Sequence, residues 1–500
     1  MALACAGLTA CGSSNGGAPQ TSVSTTQNPL VAQYSVSVSS PATVQVEFGP
    51  DDSYGFVTSP QEITDPDGGT ANILVAGMKQ SSAYHMRANI TGPASFTDTD
   101  HVFNTGAITA VQPQTYTVSR PSNAAPVQSG IEWIHNLVMS PSSKLTAVAT
   151  DLDGNPIWYY DPGSAQGTSI FTMKLLSNGH VLMTPAVVPA PAPNLLEIDL
   201  TGNPMREMSN DDLNSRLKAG GFDLVSFGFH HDFVPLDNGH VLVLVSDQRP
   251  YTDLPGYPGT TTVVGDAIID LDASWNPVWT WSTFDHLDVN RHPLGGLPDW
   301  THGNGLAFDP NDGNILFSMR NQSWVVKIDY NRGAGTGAIV WKLGYQGDFA
   351  ISGGDPSQWF YGQHYPNILS RSGSQFGFTV FDNGNDRVLD NSGAMCVQFQ
   401  SPPCYSRVPF LQVDEAAKTA EVTSMYLPGT FSFWGGNSTQ LDNGNTEFAM
   451  SQPNSDNTLS SRIVELSPGP NPQVVWQMDI DGVNAYRGYH IPSLYPGISW

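Results

Sequence analysis

The sequence predicts an all-β protein, a six-bladed β-propeller preceded by a small fibronectin-III-like β-sandwich. Three observations carry this prediction. Gly (49) and Pro (38) are abundant and only 13% of residues are charged, which suits many short strands joined by tight turns. Asn-Gly and Asp-Gly turns recur just ahead of apolar runs, at Asn178-Gly179, Asn238-Gly239, Asp312-Gly313 and Asn443-Gly444. Such turns between strand-like runs are the strongest short hairpin signal. A second element follows each, a Gly-containing or acidic turn and then an apolar strand with an aromatic: Gly154–Trp158, Trp275–Trp279, Gly337–Trp341 and Asn471–Trp476. Weaker copies at Gly202–Met205 and Val413–Glu421 bring the number to six, at intervals of roughly 50 to 75 residues, the size of a four-stranded blade. A β-helix and tandem sandwiches are the alternatives.

Taken in order, residues 1–10 read as a leader remnant. Leu8–Cys11 has the form of a lipobox, in which Cys11 becomes lipidated after cleavage. One lipid chain there would anchor the protein to a membrane without a spanning helix. Residues 11–28, rich in Gly, Ser, Thr and Gln, read as a flexible tether. Residues 29–115 hold period-two runs such as Tyr34–Val38 and Thr43–Phe48 at sandwich spacing, and nothing there looks catalytic. His85 and His101 read as surface or strand histidines. Residues 116–500 form the propeller, with Pro250–Gly265 as an inserted rim loop. Cys396 and Cys404, with seven residues between them, suit a local disulfide in an oxidising compartment; a metal pair or free thiols are the rival readings.

The formal net charge of -25, from 45 acidic and 20 basic residues, argues against nucleic acid as a partner. An anionic small substrate would need concentrated local positive charge. Three histidines precede the hairpin turns of successive repeats: His231 in Phe229–Phe233, His302 in Trp300–Gly305 and His364 in Tyr361–Pro366. Equivalent positions in successive blades converge on the central channel, so these residues are candidates for one site. His180, His240 and His286 read as structural. Three imidazoles could hold a divalent metal. Asn304, two residues beyond His302 and so expected on the same face, and Arg320 in the next strand tilt the reading toward a tetrahedral oxyanion. Neither a metal nor a cofactor is therefore assigned.

At these positions the chain resembles the bacterial arylsulfate sulfotransferases. The resemblance runs through His231-Asp232, His302–Asn304, Ser318–Asn321, Val326–Asp329, Val340–Gly344, Gly362–His364 and the closing Ile491–Gly497. It implies a periplasmic six-bladed enzyme, in a family containing homodimers and independent of nucleotide sulfate donors. Such an enzyme moves a sulfuryl group from an aryl sulfate to a phenol through a sulfohistidine. It further implies His364 as nucleophile, Arg320, His302 and Asn304 on the sulfuryl oxygens, and His231 completing the site. Phe171, Trp300, Tyr365 and Trp434 are candidates to stack on a phenyl ring. The competing readings are a three-His propeller metalloenzyme, a hydrolase or lyase, and a non-catalytic binding propeller.

Overall fold

A computed structural model describes residues 18–93, 95–108, 114–122, 124–137, 145–162, 167–188, 194–293, 296–398, 400–451 and 459–500. Cys11 and the leader lie outside the described residues. The protein is all-β, built from sheets that are antiparallel apart from the short parallel pairing of Ala350–Ile351 with Thr419–Tyr426, with one α-helix among the described residues, Asn210–Ala219. That helix starts at a capping box of Ser209 and Asp212 and buries Leu213 and Leu217.

The chain divides after Ala107 into two compact units. The smaller has a three-stranded sheet, Gln20–Thr25, Ala32–Val38 and Gly69–Val75, and a six-stranded sheet around Ala42–Gly49 and Ala83–Thr91. Alternate residues (Tyr34 and Val36; Val44, Val46 and Phe48; Met86 and Ala88) are buried, as the period-two pattern requires. Two boundaries differ from the sequence reading. The expected tether contains the strand Gln20–Thr25, paired with Ala32–Val38. Its Thr-Ser-Val-Ser-Thr composition fits an exposed edge strand as well as a linker. The larger unit begins at Ile108 rather than at residue 116, and its strand Thr115–Ser119 pairs with Val474–Asp481.

The larger unit holds six sheets of four or five strands. Their leading strands are Gly167–Leu175 (sheet one), Phe229–Pro235 (two), Gly303–Asp309 (three), His364–Ser372 (four), Asn437–Gln440 (five) and Asn484–Ile491 (six). Each leading strand contacts the next, and that of sheet six contacts those of sheets five and one. Sheet six joins distant parts of the chain, because Asn484–Ile491 pairs with Ile131–Leu137. Apolar clusters lie between neighbouring sheets, such as Leu242, Ile268 and Trp281 of sheet two with Leu306, Phe317 and Val326 of sheet three.

The recurrent tryptophans have a common task. Trp158, Trp281, Trp341 and Trp476 are buried on the fourth strand of their sheets, counted from the leading strand. Their indole N–H groups donate to Leu200 O, Gly337 O, Glu415 Oε1 and Leu152 O. Each acceptor lies in the turn between the third and fourth strands of the next sheet round. In sheet two the residue that does this is Trp281, not the Trp279 of the repeat pattern. In sheet one Arg206 replaces the indole, donating to Ala273 O and lying 3.9 Å over Trp275. Pro250–Gly265 is not a loop. Val241–Leu254 and Tyr257–Leu271 run on as one long hairpin, because the β-branched run Thr260–Val264 favours strand and the turn is confined to Pro255-Gly256. Cys396 and Cys404 form a disulfide.

Candidate active site

His231 and His302 sit at interruptions of their ladders. The register shifts between Phe229 and Phe233 and between Gly303 and Gly305. His231 and His302 have φ of 50° and 49°, and Tyr365, next to His364, has 55°. Left-handed backbone is costly for side-chain-bearing residues and clusters at functional sites; bulges there re-aim side chains. The His231 and His302 rings meet at 4.9 Å between centroids. Tyr486, on the leading strand of sheet six, lies 5.6 Å from the His231 ring and 5.9 Å from that of His364. The three predicted histidines are therefore brought together, His231 and His364 against Tyr486 and His302 against His231.

The partners of His364 define its tautomer. His364 is 1% exposed. Its Nδ1 lies 2.7 Å from Asn383 Oδ1. Asn383 Nδ2 donates to the carbonyls of Ser432 and Gly435, so the amide is oriented with its oxygen toward the imidazole. Nδ1 must therefore carry the proton, and Nε2 presents a lone pair, which accepts from the Gly435 N–H at 3.2 Å. Burial, with Arg320 next, holds the His364 pKa well below the ordinary imidazole value despite the Asn383 bond. The ring is thus a neutral base with its free nitrogen defined.

His302 Nδ1 lies 2.6 Å from Asp299 Oδ2, a carboxylate that orients the ring. His231 Nδ1 lies 2.9 Å from His230 Nδ1, and His230 Nε2 is 3.2 Å from Asp266 Oδ1. Burial and then His302 hold His231 well below the ordinary value. Phe171 packs on His231 at 4.9 Å. Arg320 opens a turn after the second strand of sheet three and donates to Asn321 Oδ1 and Phe433 O. Neither acceptor is a carboxylate; the Asp299 and Asp386 carboxylates act on the guanidinium through space, without a hydrogen bond to it.

Asn304 departs from simple alternation. The bulge between Gly303 and Gly305 breaks the period-two rule that placed it beside His302. Its side chain is fully buried and donates to Gln363 O at 2.8 Å, bracing the residue before His364. Trp300 is core, 1% exposed and bonded to Arg291 O. Tyr365 lies under Arg487, 4.8 Å from ring centre to guanidinium. Trp434 pairs with Phe433 at 6.3 Å. Outside the site, His180 lies 2.5 Å from Glu197 and His240 3.0 Å from Asp270, while His286 stacks on Trp281 at 4.8 Å.

Arg487 and Tyr486 were not singled out from sequence. Arg487 is fully buried and paired with Asp232 Oδ1 at 3.2 Å. It also donates to Tyr489 Oη and Asn304 O. Asp232 further binds Lys174 Nζ at 3.1 Å and accepts from Leu306 N, linking sheets one, two, three and six. The Tyr486 hydroxyl is buried without a hydrogen-bond partner. A signal was available, since Tyr486-Arg487 interrupts an otherwise ordinary strand with a buried cation, and buried cations are rare without a purpose.

Chemically, the arrangement combines a neutral imidazole with a defined lone pair, a guanidinium beside it, and a carboxylate-held second imidazole. Groups of this kind can act as a nucleophile, an oxyanion ligand and a proton carrier. Among solved structures, the chain is similar to proteins assigned as 6-phosphogluconolactonases from Bacteroides uniformis (10% identity, TM-score 0.41) and Bacteroides fragilis (8%, 0.38). Each alignment covers 73% of this chain and 100% of that one. It is also similar to a variant of the Synechocystis apocarotenoid oxygenase (10%, TM-score 0.33, 76% of this chain and 95% of that one). Likeness this weak bears on neither fold nor chemistry. No curated protein matches in sequence. The arylsulfotransferase (ASST) family profile, in contrast, matches residues 109–489, and the chain belongs to that family.

Proposed function

We propose that this protein transfers a sulfuryl group from an aryl sulfate ester to a phenolic acceptor through a sulfohistidine on His364, without a nucleotide sulfate donor. The observation that carries the proposal is the tautomer of His364, with Nδ1–H on Asn383 and the lone pair on Nε2, where only the Gly435 N–H must give way to an incoming sulfur. The six sheets are read as the blades of a propeller whose leading strands line the site.

In the first half-reaction the Nε2 lone pair forms a bond to sulfur as the sulfur–aryl-oxygen bond breaks. The donor sulfuryl displaces the Gly435 N–H from that lone pair, and the N–H then faces a sulfuryl oxygen. Arg320 balances charge on the oxygens, and the Tyr486 hydroxyl offers a further donor. A phenol has a pKa of about 10, so its oxygen leaves best when it gains a proton, which His302 supplies from the ring held by Asp299. In the second half-reaction His302 takes the proton of the incoming phenol, whose oxygen attacks sulfur as the N–S bond breaks. The electron pair returns to Nε2, restoring His364. Positioning and charge stabilisation dominate, as for phosphoryl transfer. Asn304 and Arg487 position the strands rather than touch the sulfuryl group. We further propose that the protein is exported to the bacterial periplasm or surface and anchored through Cys11; the Cys396–Cys404 disulfide supports an oxidising compartment.

The test is intact mass and peptide mapping after brief exposure to a chromogenic aryl sulfate without acceptor. The expected result is an adduct of about 80 Da on His364, absent in His364→Ala. An adduct on His302 or His231 would reassign the nucleophile. Acceptor-dependent phenol release with no adduct would replace the covalent path by direct transfer, and no release at all would overturn the reading.

A further inference from the structure

Away from the candidate active site, the seam between sheets five and six holds a second cluster. Glu132 lies on Ile131–Leu137, His490 on Asn484–Ile491 and Glu447 on Thr446–Ser451. One ligand atom from each lies within 4.8 Å of the others. The two carboxylates are each 1% exposed and the His490 side chain 4%. The charges that act on Glu447 are further carboxylates, those of Glu132 and Glu465. Glu465 has its own neutral donors, Asn443 and Asn445.

Three details point to a ligand. Glu132 Oε2 is buried with no N–H or hydroxyl donor on it, and the Glu447 carboxyl lies within hydrogen-bonding reach of Glu132, so a proton or a cation must sit between the two carboxyl groups. His490 Nε2 lies 2.8 Å from Ser129 O, so Nε2 carries a proton and donates. The ring's Nδ1 faces Glu132 Oε1, 3.1 Å away. The two atoms approach this closely only with a positive charge, a proton or a metal ion, between them. An imidazole held by a backbone carbonyl on its far nitrogen is also the usual support of a metal-binding histidine. Ligand atoms about 2.0–2.1 Å from a tetrahedral zinc are about 3.3 Å apart; the Glu132–His490 pair is 3.1 Å apart and all three atoms lie within 4.8 Å of one another. The approach depends on Gly130, φ 139°, where a Cβ would lie 2.6 Å from His490 Nε2.

We infer that Glu132, Glu447 and His490 form a binding site for a divalent transition cation of the zinc type, clamping sheet five to sheet six where the two ends of the ring meet. Two carboxylates and one imidazole are a donor set for such an ion, with water able to complete the shell. Its role is structural, because it is separate from the His364 cluster and independent of the transfer proposed there.

The test is metal analysis of the full protein, stripped with chelator and then dialysed against micromolar Zn2+. Wild type is expected to retain one equivalent more than Glu447→Gln or His490→Gln, and to melt several degrees higher with zinc than without. X-ray absorption of the wild-type zinc adduct is expected to show one imidazole among oxygen ligands, a readout that needs no variant to fold. Equal zinc in wild type and variants, a shell with two or more imidazoles, or a melting temperature indifferent to zinc would each overturn the site and leave protons as the compensating charge.

Discussion

His364 and His490 are the same side chain placed in two opposite surroundings. Around His364 the nearby charges are Arg320 and Arg487, and together with burial they keep the ring neutral. Around His490 burial also opposes the charged form, but the Glu132 carboxylate outweighs it and raises the pKa. The first ring offers a lone pair to chemistry. The second is drawn toward positive charge at a seam of carboxylates. Position in a repeat therefore does not decide what a histidine does here; the sign of the charges converging on it does.

The largest effect that sharpens this contrast is at Arg320. Arg320→Ala removes the cation that faces the site without a hydrogen bond to a carboxylate. It is expected to lower kcat by about 10²–10³, as loss of one oxyanion donor does, with zinc retention at the seam unchanged. An unchanged kcat would take Arg320 out of the site.

Asn383→Asp makes the centre resemble the seam by giving His364 a carboxylate. The His364 pKa should rise, so the acid limb of the kcat/KM profile moves to higher pH. Activity near neutrality should fall about 10- to 100-fold, the usual cost of altering a supporting partner. A purely structural role would lower activity without moving the limb.

The third test uses stability. His135, His231 and His364 all have depressed folded-state pKa values. The unfolded chain takes up protons at these positions below about pH 6.5 and the folded chain does not, so they cost stability as pH falls. Each contributes a slope of about 1.4 kcal/mol per pH unit in that window. His135 is buried and lowered by burial and Arg487, and it is assigned no role in transfer. His135→Gln should therefore flatten the fall in unfolding free energy between pH 6.5 and 5 by one such increment while leaving the acid limb of turnover in place. An unchanged slope would mean that His135 is protonated in the folded protein.

The smallest effect lies outside both regions. Trp281→Phe loses the bond to Gly337 O and keeps most of the apolar contact. It should reduce stability by about 1 kcal/mol, read by urea unfolding, with kcat intact.

Much of this was legible in sequence because the information is local. The Asn-Gly turns, the acidic turns and the fourth-strand tryptophans repeat within short windows. Asp151, Asp199 and Asp272 each accept from the backbone four residues on, which is why those turns recur as Asp-x-x-x-Asn. His231, His302 and His364 were found by the same repetition. What escaped detection depends on distant pairings. Arg487, Tyr486 and Asn383 acquire meaning only when separate sheets converge, and the bulge at Gly303 defeats the alternation used to aim Asn304. The long hairpin at Pro250–Gly265 was missed because Pro and Gly drew attention away from the β-branched run beside them.

The pairing of Ile131–Leu137 with Asn484–Ile491 also sets an order of events. Glu132 and His490 are 358 residues apart in sequence, and contacts of such separation form late and slowly. The strand that arrives last carries Tyr486 and Arg487. During synthesis His364, His302 and Arg320 are all made before the chain can close around them. The protein should therefore have no partly active nascent form, and catalytic competence should appear in one step, when the final strand is captured.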